Sequence, residues 1–266
     1  MFEPGGIFLC APMGAMNAYG DLIRKAGLNV EVQHFIAAED FGGDLEEDVA
    51  CLKDLKCRLG IRYGFHAPFM GVNYFSRNRE RAARSRALLA KSLDVAAELG
   101  AEFVVVHSLY VPRRRNPGYG PDWHAAAPPF FRSVVSEAKD HGLPVVIENM
   151  LETSPESLLR LLEEMPVPGT GVCFDAAHAG LAGGARPAEW VEALGAALRH
   201  MHLSDNNLVY DDHLPLGAGQ IDLEAALSAA AGVSHGVTIG LECRLRPVEN
   251  VTRSLEFIGR FVGRRA

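Results

Sequence analysis

Five apolar runs in this chain stop on an imidazole or a carboxylate: Gly64-Phe65-His66, Phe103-Val104-Val105-Val106-His107, Val145-Val146-Ile147-Glu148, Gly171-Val172-Cys173-Phe174-Asp175 and Ile239-Gly240-Leu241-Glu242. An ionisable group at the tip of a buried strand is costly if it stays dry and unpaired. All five endings are of metal-ligand type, so the tips are expected to converge on one cation site. His202 belongs to a sixth run, His-Met-His-Leu-Ser, and two short pairs extend the set: Asp175-Ala-Ala-His178 and Asp211-Asp212-His213. The expected donors are His66, His107, Glu148, Asp175, His178, His202, Asp211, His213 and Glu242. Four carboxylates in one cavity would drive some of their own pKa values upward unless cations neutralise them. Mixed nitrogen and oxygen donors suit zinc or manganese, with cobalt, iron and magnesium as further candidates. Nine donors exceed one coordination sphere. Either two or three metals share them through bridging carboxylates, or one metal is bound and the histidines touch substrate.

Such a constellation needs elements to hold it. Strand-like runs fall at 7–13, 28–35, 61–66, 102–107, 143–148, 170–175, 200–204 and 237–243. Helical patterns lie between them at about 15–27, 44–59, 78–99, 126–141, 155–164, 187–198 and 221–231, with a last one at 248–263. Eight β–α alternations with continuously apolar strands call for a parallel sheet buried on both faces. Unit count and length fit one closed (β/α)₈ barrel over residues 1–266, in which the strand C-termini build the site. An open doubly wound sheet is the competitor, but no G-x-G-x-x-G turn follows an early strand. His34 could approach the site after the second strand, His124 is open, and His141, His200 and His235 read as structural, near the far end of the barrel or on the surface.

The remaining composition narrows the partners. A net charge of −7 disfavours bulk attraction to nucleic acid or an acidic membrane, although a local basic patch stays open. No run reaches membrane-spanning length and no basic-then-apolar leader is evident, which reads as cytoplasmic. The five cysteines lack paired spacing, so they are expected as free thiols and mostly small buried hydrophobes. Arg113-Arg114-Arg115, with Tyr119 and Trp123, occupy a long segment after the fourth strand, and Arg244 and Arg246 follow Glu242. Arg244, Arg246, Arg114 and Trp123 are therefore candidate substrate contacts, the arginines as an anion clamp. A solvated loop and a carboxylate partner for Arg244 are the plainer alternatives.

The series GFHAPF, VVVHS, VVIEN, GVCFDAAH, HMHLSDN, DDHLPLGAGQIDL and GLECR resembles the xylose isomerase-like TIM-barrel superfamily, which includes sugar isomerases and epimerases and the endonuclease IV branch. The likeness runs from about residue 60 to 245. It implies a metal held by Glu148, Asp175, His202 and Glu242, the four-ligand pattern of sugar epimerases. His66, His107, His178, Asp211 and His213 match the added positions of the multi-metal endonuclease branch. Departures touch both branches: His107-Ser108-Leu109 stands where His-Pro-Gly is common. Asn206, Asn207 and Leu208 stand where some ketose epimerases carry an arginine.

Two reactions follow. The first is a divalent-metal-dependent isomerase or epimerase of a carbohydrate or sugar phosphate, with Glu148 and Glu242 moving the proton through an enediolate. The second is multi-metal hydrolysis of a phosphodiester at abasic DNA sites. DNA is a partner only under the second. Oligomeric state is left open.

Overall fold

A computed structural model describes residues 2–112, 123–165, 167–233 and 236–263. Its elements run β1 Ile7–Ala11, α1 Met13–Ala18, α2 Gly20–Ala26, β2 Asn29–Val32, α3 Leu45–Leu59, β3 Tyr63–His66, α4 Arg79–Glu98, β4 Ala101–His107 and α5 Trp123–Asp140. They continue with β5 Val145–Glu148, α6 Glu156–Glu163, β6 Gly171–Asp175, α7 Ala176–Ala182, α8 Pro187–Leu194, β7 Leu198–Leu203, α9 Leu223–Ala230, β8 Thr238–Leu241 and α10 Glu249–Gly259. The eight strands pair in parallel, in chain order, and β1 pairs β8 to close the barrel. This is the (β/α)₈ architecture expected from the alternation. Among the described residues no helix is long and apolar enough to cross a membrane.

Strand side chains alternate between two faces, and here each face has its own chemistry. Val104 and Val106 of β4, Val145 and Ile147 of β5, and Val172 and Phe174 of β6 join the large core between barrel and helices. The opposite parity faces the lumen, where Phe8, Phe103, Val105, Val146 and Cys173 form a separate small cluster. Followed toward the C-terminal end, the lumen-facing positions become polar: Glu31, His66, His107, Glu148, Asp175, His202 and Glu242. The abrupt endings in the sequence are thus the last inward positions of successive strands. Register levels them, pairing His107 with Glu148 and Asp175 with His202.

Two glycines make room for this interior. A Cβ at Gly64 would stand 2.5 Å from the Phe103 ring. One at Gly240 would meet His200 Nε2 and His202 Cδ2 at 2.8 Å.

Two local expectations change. The first helical pattern splits at Tyr19, whose backbone leaves the helix at φ −111° and ψ 15° while its hydroxyl donates to the Leu245 carbonyl at 3.0 Å. Residues 176–182, outside the expected helical patterns, form α7. Its run of small residues has no amphipathic period, but the Asp175 carboxylate accepts from His178 N at 2.6 Å and caps the first turn.

Candidate metal centre

The barrel brings all nine expected donors to one end, sorted into three groups. In the first, Glu148 Oε2 faces His66 Nε2 at 3.3 Å and His107 Nε2 at 3.1 Å. In the second, His202 Nδ1 lies 3.3 Å from Glu148 Oε1 and 3.2 Å from Glu242 Oε2. Asp175 completes that group, with one donor atom from each of the four residues within 4.8 Å of the others. In the third, Asp211 Oδ2 stands 3.4 Å from His178 Nε2 and 3.2 Å from His213 Nε2. Glu148 joins the groups, because its Oε1 also lies 3.3 Å from His178 Nδ1.

The histidine tautomers follow from partners that only accept. His66 Nδ1 donates to the Ala67 carbonyl at 2.8 Å, His178 Nδ1 to Asn149 at 2.9 Å and His213 Nδ1 to Glu242 at 2.7 Å. In the neutral imidazole each therefore turns its Nε2 lone pair, the position open to a metal ion or a second proton, toward a carboxylate oxygen. His202 is inverted: its Nε2 faces both Glu31 oxygens at 3.1 Å, and its Nδ1 is buried without a hydrogen-bond partner. Lone pairs opposed to carboxylates at these distances repel unless a cation or proton lies between them. Asp175 Oδ2 is likewise buried and unpartnered. Ring nitrogens held by an acceptor on their far side, aimed at clustered carboxylates, fit a divalent-metal centre.

Electrostatics agree with that fit. Burial would raise Glu148, but the His107 and His202 imidazoles hold it well below the usual carboxylate range. Burial pushes Asp175 up to about 6. At the outer rim, burial would lower His213, yet its hydrogen bond to Asp211 and the Glu242 charge raise it to about 9. Without a metal, an added proton is thus held on His213 at neutral pH. Exposure is graded as well: the His66 and His202 side chains are almost fully buried, whereas 36% of Asp211 is open. Phe69 walls the inner end, stacked on the His107 ring at 4.4 Å.

The outlying candidates separate from this cluster. Arg244 stands at the rim, exposed, 3.4 Å from Asp212. Arg246 follows on the same segment, and Arg114 lies outside the described residues. Trp123 packs inward instead of lining the mouth: it is buried, and its indole N–H donates to the Ser108 carbonyl at 2.8 Å. His34 pairs with Asp48 at 3.2 Å and His141 with Asp94 at 3.3 Å, both away from the site. His200 corrects the reading that placed it near the far end or on the surface. It is buried in the lumen one inward position below His202, 3.0 Å from Glu31. His235 lies outside the described residues.

Three residues of the site escaped the sequence reading. Glu31 sits beneath His202. Gln33 Nε2 donates to Glu242 Oε1 at 2.6 Å. Glu152 is buried, accepts from Met150 N at 2.6 Å, and has its Oε1 unpartnered; burial raises its carboxyl to about 7. A carboxylate inside the apolar run Asn-Val-Glu-Val was the available signal for Glu31.

Comparison with known proteins places this geometry in context. A family model described as the xylose isomerase-like TIM barrel matches residues 21–261. The probable endonuclease 4 of Mycobacterium ulcerans (strain Agy99) is 28% identical over 196 residues, covering 69% of this chain and 72% of that protein. The structure of the TTHB071 protein from Thermus thermophilus, from crystals soaked with zinc chloride, superposes with a TM-score of 0.77 at 28% identity, over 98% of this chain and 100% of that one. A D-tagatose 3-epimerase-like protein superposes with the same TM-score, 0.77, at 25% identity over 96% of each chain.

Proposed function

The chain belongs to the xylose isomerase-like TIM-barrel family, and from that premise we propose that it is a metal-dependent phosphodiesterase with a multinuclear centre at the barrel mouth. One observation carries this reading: the nine donors fall into three groups around Glu148, whose two oxygens face different histidines. A one-metal sugar site needs only Glu148, Asp175, His202 and Glu242. The remaining His66, His107, His178, Asp211 and His213 would then be idle, yet the four histidines are buried or half-buried and each faces a carboxylate, and Asp211 at the rim faces His178 and His213.

Zinc or manganese bound by these residues would acidify water and neutralise charge on the phosphate oxygens. The chain's own residues do the rest. Glu148 holds the groups in fixed relation. The Asp211–His213 pair receives the outer part of the substrate, where the site is open. Glu152, protonated near neutrality, holds a proton within the same strand-end region for a leaving alkoxide. Arg244 and Arg246 offer positive charge to the flanking ester. The endonuclease 4 likeness directs the test to DNA: zinc- or manganese-loaded protein is expected to nick a duplex containing tetrahydrofuran. No cleavage of that duplex, nor of a simple aryl phosphodiester, would overturn the reading.

A second reading rests on Glu148 and Glu242, which flank His202 at 3.3 and 3.2 Å, and on the epimerase-like neighbour. Here the two glutamates remove and return a proton beside a sugar or sugar-phosphate carbonyl. Deuterium uptake from solvent into a ketose panel, lost in Glu148→Gln, supports it; no uptake with any member excludes it.

A further inference from the structure

Strand β2 contributes none of the nine donors, yet its inward Glu31, and Gln33 one residue past its end, touch them. Glu31 is fully buried in the lumen. Below it, the Thr238 hydroxyl lies 2.6 Å from His200 Nδ1, and His200 Nε2 faces Glu31 Oε2 at 3.0 Å. A carboxylate only accepts, so His200 carries its proton on Nε2 and Nδ1 accepts from Thr238. The same argument puts the His202 proton on Nε2, leaving Nδ1 bare toward Glu148 and Glu242. Two residues along, Gln33 donates to Glu242 Oε1, so that Oε2 is the oxygen turned on His202. The imidazoles of the outer group are held differently: His178 and His213 lean on neutral backbone carbonyls.

We infer that Glu31 and Gln33 are positioning residues that aim and charge-back His202 and Glu242, so that the position formed by Glu148, Asp175, His202 and Glu242 binds its metal first and most tightly. An anionic acceptor behind an imidazole raises the basicity of the ligating nitrogen more than a carbonyl does. The filling order of the centre is therefore set by Glu31 on β2, one layer below the donors, and by Gln33 just past the end of that strand. This inference rests on the multinuclear reading above.

The test is zinc titration of the metal-free protein against a chromophoric chelator, with folded fraction checked by circular dichroism. Wild type is expected to bind zinc in steps of unequal affinity. Glu31→Gln keeps an acceptor for His202 but removes the charge, and the tightest step is expected to weaken by about 10–100-fold while later steps hold. Gln33→Met, nearer the rim, is expected to weaken the same step by less. Unchanged affinity of the tightest step in folded Glu31→Gln overturns the inference; should that variant not fold, unchanged affinity in Gln33→Met does so. Cys10 and Cys173 also approach this layer, with donor atoms within 4.8 Å of the Glu31–His202 and His200–His202 pairs respectively. Loss of a whole zinc equivalent in both Glu31→Gln and Cys10→Ser would instead make Glu31 a ligand and overturn the positioning role. If wild type binds no zinc or a single ion, the multinuclear reading fails first, and the two failures are distinguishable.

Discussion

Glu148 holds the centre together because its two oxygens serve different neighbours, His66 and His107 on one side, His202 and His178 on the other. Glu148→Gln leaves a shape close to the original without the second anionic oxygen. It is expected to weaken metal binding by at least the ~100-fold that outer supports of a ligand are worth, measured by metal content after desalting. Protons compete for the same atoms. His213 sits at about 9 in the metal-free protein, so below that pH metal must displace its proton. Zinc affinity is therefore expected to tighten as pH rises from 6 toward 9, by up to about tenfold per unit for each proton displaced. Calorimetry in buffers of different ionisation enthalpy reads the proton release. Glu152 gives the opposite dependence in stability. Its carboxyl rises to about 7 in the fold from 4.5, so its contribution is complete below 4.5 and is lost as pH climbs through 7. The metal-free protein should lose up to about 3 kcal/mol across that window, and Glu152→Gln should flatten the slope in urea unfolding.

The elements explain which part of this was legible beforehand. Six strands announce their inward parity by ending on, or within a residue of, a histidine or carboxylate, so the barrel, and the meeting of those six side chains at one end of it, could be read from the runs themselves. For Glu31 the run showed only a carboxylate inside a strand, not its purpose, which depends on His200 and His202 more than a hundred residues away. Helix α7 was hidden for a different reason: Ala-Ala-His-Ala-Gly-Leu-Ala has no amphipathic period, and its start depends on the Asp175 cap. That cap makes Asp175 both a proposed ligand and a helix terminus, and the two roles separate by substitution. Asp175→Asn is expected to keep the cap and lose metal affinity, whereas Asp175→Ala loses both, with a further cost of about 1 kcal/mol. Gly240→Ala presses a methyl against the His200 and His202 rings. Overpacking of this kind costs about 1–3 kcal/mol, and here it should also displace His202 and lower zinc affinity. Unfolding curves with and without zinc separate the two effects.

At the scale of the whole molecule, closure of the sheet brings the separate strand tips together at one end, where Glu148, Asp175 and Glu242 lie close together and Asp211 joins them from the rim. A chain of net charge −7 that concentrates acids at one end gains folding stability from any cation bound only in the native state. With free zinc at a thousand times its dissociation constant, a single site adds about 4 kcal/mol. Chelator is therefore expected to lower the melting temperature, and added zinc to restore it. Strand β2, the floor residues His200 and Thr238, and the rim pair Asp211–His213 form a graded column from dry interior to solvent. On the proposed reading the inner donors would bind metal tightly and the outer ones would meet substrate. The most direct test of this account is the number of zinc ions per folded chain at saturation, measured by elemental analysis of wild type beside a variant lacking the Asp211 and His213 side chains. More than one ion in wild type, and fewer in the variant, is the predicted result. Saturation at a single ion, unchanged in the variant, would contradict it.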